Sequence, residues 1–293
     1  MRTEKEMIEL ILKVAEKDER IRAVYLNGSR ANPNIAKDIF QDYDIVYVVD
    51  ETLAFINDKN WIDIFGERLY MQLPDELDNE LGLNVNLEQC YGYLIQLADG
   101  SRLDLRLMNL DYAKKQIIND KLVIILRDKD NLLPSISSST DMDYWVKRPT
   151  EIQFRACCNE FWWCLNNVAK GMWREEILYV MDILDSTIRV ELKNMLIWYV
   201  GIQTDFGVSV GKSGKFLDKY LPKELWERFL KTYTMAKIDS MWEGIFIMCS
   251  LFDEIANIIS KELKFSYDKA EAKNSLMFLR NAQRLDKYAT DVL

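Results

Sequence analysis

Two hydrophobic patterns divide this chain near residue 130, and the division limits the folds that it can adopt. Before that point, short runs rich in Val, Ile, Leu and Tyr are separated by turn residues, which predicts β-strands. After it, apolar residues recur every three or four positions, which predicts helices. We therefore expect an α+β protein whose strands all lie in the N-terminal part.

The N-terminal part is predicted to combine β-strands with helices. Amphipathic helices are expected at residues 4–19 and 110–120, where apolar residues follow helical spacing. Asp99-Gly100 lies between two apolar runs and predicts the turn of a β-hairpin. The strands are expected at residues 21–27, 44–50, 68–73, 91–98, 101–108 and 121–128.

A segment rich in Ser, Thr and Pro separates the two parts. Residues 131–150 lack sustained periodicity, which is typical of a linker or a long crossing loop. We expect an N-terminal domain in residues 1–134, a linker in 135–150 and an all-helical bundle domain in 151–293. A chain of 293 residues that is 49% hydrophobic is long enough to bury two cores.

The chain contains no histidine, and this absence excludes whole classes of chemistry. A Ser-His-Asp triad, a His-ligated zinc site and an imidazole general base are all impossible. The five cysteines are odd in number and have no paired spacing typical of metal ligands. Any general base must therefore be a carboxylate, Lys, Tyr or Cys.

The charge balance of the chain favours a cationic partner. Its formal net charge of −9 argues against a broad basic face for nucleic acid, which would need clustered Lys and Arg. Neither a signal peptide nor an apolar run of membrane-spanning length is found, so we expect a cytoplasmic protein with no membrane partner. Nothing in the sequence indicates an oligomeric state.

Three short motifs in the N-terminal part predict phosphate and metal chemistry when they are taken together. Gly28-Ser29 follows a strand, where backbone amides and a hydroxyl can contact a phosphate. Asp42 and Asp44 are two apart, so on a strand both point to one face and can share Mg²⁺. Asp104 lies on the polar face of a later strand. Taken singly, each has an ordinary alternative: a simple turn, solvated aspartates, or a salt bridge from Asp104 to a neighbouring arginine.

This combination resembles the signature of the nucleotidyltransferase superfamily that includes DNA polymerase beta. The resemblance implies that the N-terminal domain is a nucleotidyltransferase domain with a mixed β-sheet flanked by helices. The resemblance implies that Gly28, Ser29 and Arg30 bind the triphosphate of the nucleotide. It also implies that Asp42 and Asp44 bridge two Mg²⁺ ions, and that Asp104 holds the catalytic ion. The metal ligands implied by the resemblance are therefore the carboxylates of Asp42, Asp44 and Asp104.

The helical part is similar to the aminoglycoside 6-adenylyltransferases, which adenylylate streptomycin. The similar segments are residues 161–185, 191–201 and 209–233, and with the first half the resemblance spans nearly the whole chain. It implies ATP as co-substrate, Mg²⁺, a 6-hydroxyl of an aminoglycoside such as streptomycin as acceptor, and antibiotic resistance. We expect the acceptor to bind in a cleft between the two domains.

Within the helical part, Asp182 is our candidate for the general base. Helical spacing places it beside a stripe of apolar residues, and partial burial there would raise the pKa of its carboxyl group. The alternative is a ladder of helix salt bridges that ends at Arg189. Glu175, Glu176 and Asp185 are rival bases.

Lys212 and Lys215 are candidates for contacts with the triphosphate, and two solvated lysines are the alternative. The Gly-Lys-Ser at residues 211–213 is not a P-loop, because that motif needs glycine at position 206, which is Phe206.

Two other functions stay open at this point. One is nucleotidyl transfer to another acceptor, such as a lincosamide, a protein hydroxyl or an RNA end, the last being disfavoured by the acidic composition. The other is a noncatalytic nucleotide-binding or toxin-antitoxin module. Retention of all three carboxylates argues against a module that only binds.

Overall fold

The chain folds into two units, each with its own hydrophobic core. The structure is a computed structural model, and it describes residues 1–292. Unit 1 is Met1–Asp143 and unit 2 is Tyr144–Leu293. The boundary between them falls inside the 135–150 segment that we predicted to be a linker.

Unit 1 is built on a six-stranded sheet with the order β3-β4-β5-β2-β1-β6. Among the described residues, β2 and β5 form the one parallel pair, and the other four pairs are antiparallel. The predicted mixed sheet is therefore confirmed. The strands are β1 (Ile21–Leu26), β2 (Tyr43–Val49), β3 (Arg68–Gln72), β4 (Cys90–Leu97), β5 (Arg102–Asn109) and β6 (Ile124–Asp128).

Helices cover both faces of the central strands. Alternate residues of β2 point to opposite faces, so that Tyr47 joins the core beneath α1 (Glu4–Lys17) while Val46 joins the core beneath α4 (Leu110–Asn119). The Tyr47 hydroxyl donates a hydrogen bond of 2.6 Å to the carbonyl of Ile11 in α1. A sheet that is buried on both faces explains why its central strands are almost continuously apolar.

Several short elements of unit 1 lie in segments where no periodicity predicted them. The residues after β1 form one 3₁₀ turn, Gly28–Ala31. The others are α2 (Leu53–Ile56), the 3₁₀ turn Trp61–Phe65 and α3 (Pro74–Glu80). Elements of one or two turns are too short to show a hydrophobic period.

Unit 2 is helical, as its sequence pattern predicted. No helix in residues 1–292 is both long enough and apolar enough to cross a membrane. The helices are α5 (Glu151–Trp173), α6 (Ile177–Ile183), α7 (Arg189–Gln203), α8 (Leu217–Tyr220), α9 (Lys223–Leu230), α10 (Ile238–Leu263) and α11 (Lys269–Arg284).

A π-helical turn, Leu184–Ile188, joins α6 to α7 and lies next to a buried arginine. Arg189 pairs with Asp185, donates to the carbonyl of Thr232 at 2.9 Å, and lies over the ring of Tyr233. Burial lowers the pKa of Arg189, and its Nε has no hydrogen-bond partner among the described residues. The salt bridge that we weighed as the alternative for this helix is therefore present for Asp185.

Aromatic stacking between α5 and α10 forms part of the core of unit 2, and it yields a stability prediction. Phe161 is fully buried and stacks on Phe252 with 3.8 Å between ring centroids. We expect Phe161→Ala to lower the free energy of unfolding by about 3–5 kcal/mol, because it leaves a cavity in a close-packed core. Urea unfolding followed by helical circular dichroism measures the change.

Trp163→Ala is the matched control, since Trp163 lies two residues after Phe161 in α5 and is 65% exposed. This change should stay within about 0.5 kcal/mol of the unsubstituted protein. Equal losses for the two variants would contradict the assignment of Phe161 to the core.

Candidate active site

Three aspartates of unit 1 lie together because two parallel strands are paired in register. Asp44 is the second residue of β2, and its partner on β5 is Asp104. Asp42 lies two residues before Asp44 and so faces the same side of the sheet. The pairing therefore brings together the three carboxylates that the sequence motifs singled out.

The three carboxylates repel one another, and this repulsion contributes to raised pKa values at Asp44 and Asp42. Burial, followed by the charges of Asp104 and Asp42, raises the pKa of Asp44 to about 6. Burial also raises the pKa of Asp42, with a smaller contribution from Asp104 and an opposing one from Arg102. A cation beside this cluster is electrostatically favoured.

Arg102 is the cation that lies against the cluster in this structure. Its guanidinium donates two hydrogen bonds of 2.8 Å to Asp104 and lies 3.7 Å from Asp42. The salt bridge that we weighed as the alternative for Asp104 is therefore present. In this arrangement, residues 1–292 contain no group of three or more Cys, Asp or Glu side chains that could hold a metal ion.

The donor set nevertheless fits Mg²⁺ in its chemistry. Mg²⁺ prefers oxygen ligands and is usually held by one or two carboxylates together with substrate phosphates. The side chain of Arg102 is 46% exposed and that of Asp104 is 16% exposed, so the arginine can rotate into solvent while the carboxylate stays in place. The fit requires that Arg102 give up its contact with Asp104.

Gly28 is the residue that allows the turn after β1 to lie against Asp44. Its φ of +71° is in the left-handed region, and a Cβ at this position would overlap the carboxylate of Asp44. The backbone N–H of Asn27 also donates to the carbonyl of Asp44 at 3.0 Å. The Gly-Ser turn that the sequence predicted as a phosphate site is thus packed directly on a candidate metal ligand.

Arg30 has a structural role that the sequence did not reveal. Its Nε and one terminal nitrogen donate to the carbonyls of Asp42 and Gln41, at 3.0 and 2.8 Å. The other terminal nitrogen lies 3.4 Å from Glu4, and the guanidinium lies over the ring of Tyr43. With its side chain only 7% exposed, Arg30 fixes the backbone that carries Asp42. No spacing in the sequence indicates these contacts.

Ser29 lies in the same 3₁₀ turn and is half-buried. Its carbonyl accepts hydrogen bonds from the amide of Asn32 at 3.2 Å and from the side chain of Gln41 at 3.5 Å. These bonds tie the turn to the segment just before Asp42. The phosphate turn and the carboxylate cluster are therefore one connected structure.

The four candidate bases belong to unit 2, and their surroundings differ. Asp182 is exposed, so the partial burial that we expected for it is wrong. Leu178 lies one turn before Asp182 on the same stripe and is 87% exposed, so this stripe of α6 faces solvent. Asp185 pairs with Arg189, whereas Asp182 forms no ion pair within residues 1–292.

The two glutamates among the rival bases also have cationic neighbours. Glu175 lies 3.0 Å from Lys287, and Glu176 lies 3.9 Å from Arg174. Glu175 has a positive φ of 59° at the end of α5. Asp182 is thus the candidate whose carboxylate is least engaged by the protein.

The Gly-Lys-Ser-Gly-Lys segment of unit 2 forms a tight turn. Gly211, Ser213 and Gly214 have φ values of 73°, 59° and 78°. Lys212 and Lys215 are both exposed on this turn. The segment therefore presents two cations from a loop of defined shape, which is unrelated to a P-loop.

Comparisons with known proteins agree with the family resemblance of the sequence. Residues 1–282 match the family model described as streptomycin adenylyltransferase. An aminoglycoside 6-adenylyltransferase of Campylobacter jejuni is 39% identical over 284 residues, which cover 97% of each chain. One of Bacillus subtilis (strain 168) is 39% identical over 271 residues, covering 91% of this chain and 93% of the relative.

A solved structure adds one further likeness. The crystal structure of an aminoglycoside 6-adenyltransferase from Bacillus subtilis is 32% identical, covers 97% of this chain and 100% of its own, and has a TM-score of 0.48. The family match spans nearly the whole sequence and includes all three clustered aspartates. The chain belongs to the streptomycin adenylyltransferase family.

Proposed function

We propose that this protein transfers AMP from ATP to the 6-hydroxyl of streptomycin or a related aminoglycoside, and so confers resistance to the antibiotic. The observation that carries the proposal is the pairing of Asp44 with Asp104 beside Asp42. The family description and the names of the curated relatives support the choice of acceptor.

The reaction forms one bond and breaks another at the α-phosphorus of ATP. The acceptor oxygen bonds to this phosphorus, the bond to the bridging oxygen breaks, and pyrophosphate leaves with its electron pair. Asp42, Asp44 and Asp104 would hold Mg²⁺, which when bound stabilises the charge on the entering and leaving oxygens. Arg30 acts in this scheme by keeping the backbone of Asp42 in place.

Binding of the triphosphate is assigned to the turn next to Asp44 and to two lysines. Gly28 lets the backbone lie close to the cluster, and Ser29 offers a hydroxyl and an amide in the same turn. Lys212 and Lys215 would supply positive charge to the phosphates. Each of these groups acts on the nucleotide and none on the acceptor hydroxyl.

We assign Asp182 as the general base that accepts the proton of the acceptor hydroxyl. Because the chain has no histidine, we take a carboxylate as the general base. Asp182 is exposed and forms no ion pair within the described residues, so its oxygens are available to a ligand.

The charge distribution of the chain suits a polycationic acceptor. Acidic residues outnumber basic ones in Met1–Asp143, whereas the two kinds nearly balance in Tyr144–Leu293. An excess of one sign raises the local concentration of ligands that carry the other. This excess supports an aminoglycoside over an RNA end as acceptor.

Incubation with ATP, Mg²⁺ and a panel of aminoglycosides, followed by mass spectrometry, tests the proposal directly. We expect an AMP adduct on streptomycin and release of pyrophosphate, and tandem fragmentation should locate the adduct on the 6-hydroxyl. The proposal fails if no member of the panel gains AMP.

The carboxylate cluster generates a second test of the same reaction. Asp42→Asn, Asp44→Asn and Asp104→Asn should each lower kcat by about 10³-fold or more, because each removes a negatively charged oxygen ligand. Asp58→Asn, at an exposed position of unit 1, should leave kcat unchanged. Near-normal turnover by any of the three cluster variants would exclude that residue as a metal ligand.

The base assignment has its own test in unit 2. Asp182→Asn should lower kcat for streptomycin by about 10²-fold or more, the usual scale for loss of a general base, with little change in ATP affinity. Asp185→Asn, Glu175→Gln and Glu176→Gln serve as comparisons. If one of these loses activity while Asp182→Asn does not, the base is that residue and the reaction assignment stands.

The raised pKa of Asp44 predicts how metal affinity depends on pH. Below its pKa of about 6 this carboxyl group is protonated in the metal-free protein, and a proton competes with a cation for the same oxygens. Affinity for Mn²⁺, measured by electron paramagnetic resonance, should therefore fall by about tenfold between pH 7 and pH 5. Asp44→Asn should remove most of this dependence, and a flat profile in the unsubstituted protein would contradict it.

A further inference from the structure

Unit 2 contains a cavity of about 770 Å³. Its walls include none of the residues that we assign to adenylyl transfer. It is formed by side chains of α5, α10 and α11. Trp162, Phe246 and Leu276 supply an apolar part of its wall. Its volume lies within the usual range for small-molecule sites, about 300–1,000 Å³.

Four cations of α11 line this cavity from one face of the helix: Lys269, Lys273, Arg280 and Arg284. At about 100° per residue, these positions fall within an arc of roughly 60°. The cavity wall is therefore strongly basic, although the chain as a whole carries a net charge of −9.

None of the four cations forms a salt bridge within residues 1–292, and two acidic residues of α10 have partners elsewhere. Asp253, the one carboxylate in the cavity wall, accepts a hydrogen bond of 2.8 Å from the hydroxyl of Tyr267. Glu254 pairs with Arg228 on α9. Neither carboxylate lies within salt-bridge distance of a cation on α11.

The acidic residues at the start of α11 are engaged as well. The carboxylate of Asp268 caps the helix by accepting from the amides of Ala270 and Glu271. The side chain of Glu271 accepts from the amide group of Asn159 on α5. The cavity wall thus carries four cations and one carboxylate, and none of the four cations forms a salt bridge in the described part of the chain.

The placement of these cations is unfavourable for the helix itself. Lys269 and Lys273 are four residues apart, as are Arg280 and Arg284, and like charges at this spacing destabilise a helix. Lys269 is also the first residue of α11, where the positive end of the helix dipole disfavours a cation. A bound anion would relieve both effects.

We propose that this cavity is a binding site for a chain of linked phosphates, either free polyphosphate or the polyphosphate part of a nucleotide. Lys273 and Arg280 are seven residues apart, roughly 10 Å along the helix axis. One phosphate bound between these two residues does not also reach Lys269 and Arg284, which lie at the two ends of the row and are roughly 22 Å apart along the axis, whereas a chain of phosphates can follow the row. The site is separate from the proposed adenylyl transfer and does not depend on it.

Calorimetric titration of the metal-free protein with inorganic tripolyphosphate at physiological salt tests the proposal. We expect a saturable binding event that Lys273→Gln together with Arg280→Gln weakens at least tenfold. Lys261→Gln together with Lys264→Gln is the matched control, since it removes two exposed cations of equal charge outside the cavity wall. The control should change affinity less than twofold. Equal loss in both double variants, or no loss in the first, overturns the proposal.

Hydrogen exchange of the unsubstituted protein gives a readout that needs no variant. Tripolyphosphate should slow amide exchange in α11, and a second titration with ATP distinguishes the two sources of the ligand. Protection by both ligands supports recognition of the phosphate chain, and protection by ATP alone supports a nucleotide. Protection by neither overturns the site. Failure of adenylyl transfer in the assays above would leave these outcomes unchanged.

Discussion

The parallel pairing of β2 with β5 is the constraint on which the candidate active site depends. Hydrogen bonding in this register sets Asp44 opposite Asp104, although the two residues are 60 positions apart in the chain. The buried faces of both strands keep the register, because a slip of one residue would turn Tyr47 and Leu105 out of the core and the aspartates into it. Packing of the sheet thus holds three like charges together, and burial of the core offsets the free energy of their repulsion.

Different residues around this cluster hold its backbone in place and neutralise its charge. Gly28 removes the side chain that would otherwise collide with Asp44, and Arg30 fixes the carbonyls just before it. Arg102 neutralises Asp104 from the solvent side through a two-point contact. A buried arginine and an exposed one therefore have opposite roles, since only the exposed one can leave when another cation binds.

The two units differ in how their charges are arranged. The acidic excess of the chain belongs to unit 1, where it agrees with a cluster of carboxylates and a cationic acceptor. In unit 2 the numbers of acidic and basic residues are nearly equal, but their positions are uneven, because four cations of α11 lie on one face of the helix. Its buried Arg189 shows the contrasting case, in which a cation is kept inside a core by a carboxylate, a carbonyl and an aromatic ring.

The family resemblance of the sequence predicted the mixed sheet. The residues by themselves determined the secondary structure classes, the helical second half and the identity of the clustered aspartates. These follow from local periodicity, turn residues and motif spacing, as in β2 and in the hairpin at Asp99-Gly100. Only the tertiary structure decided that Arg102 binds Asp104, that Arg30 holds a backbone and that Asp182 is exposed. Each of these depends on which elements pack against one another and which side chains they bring close, and spacing along a chain does not specify such distances.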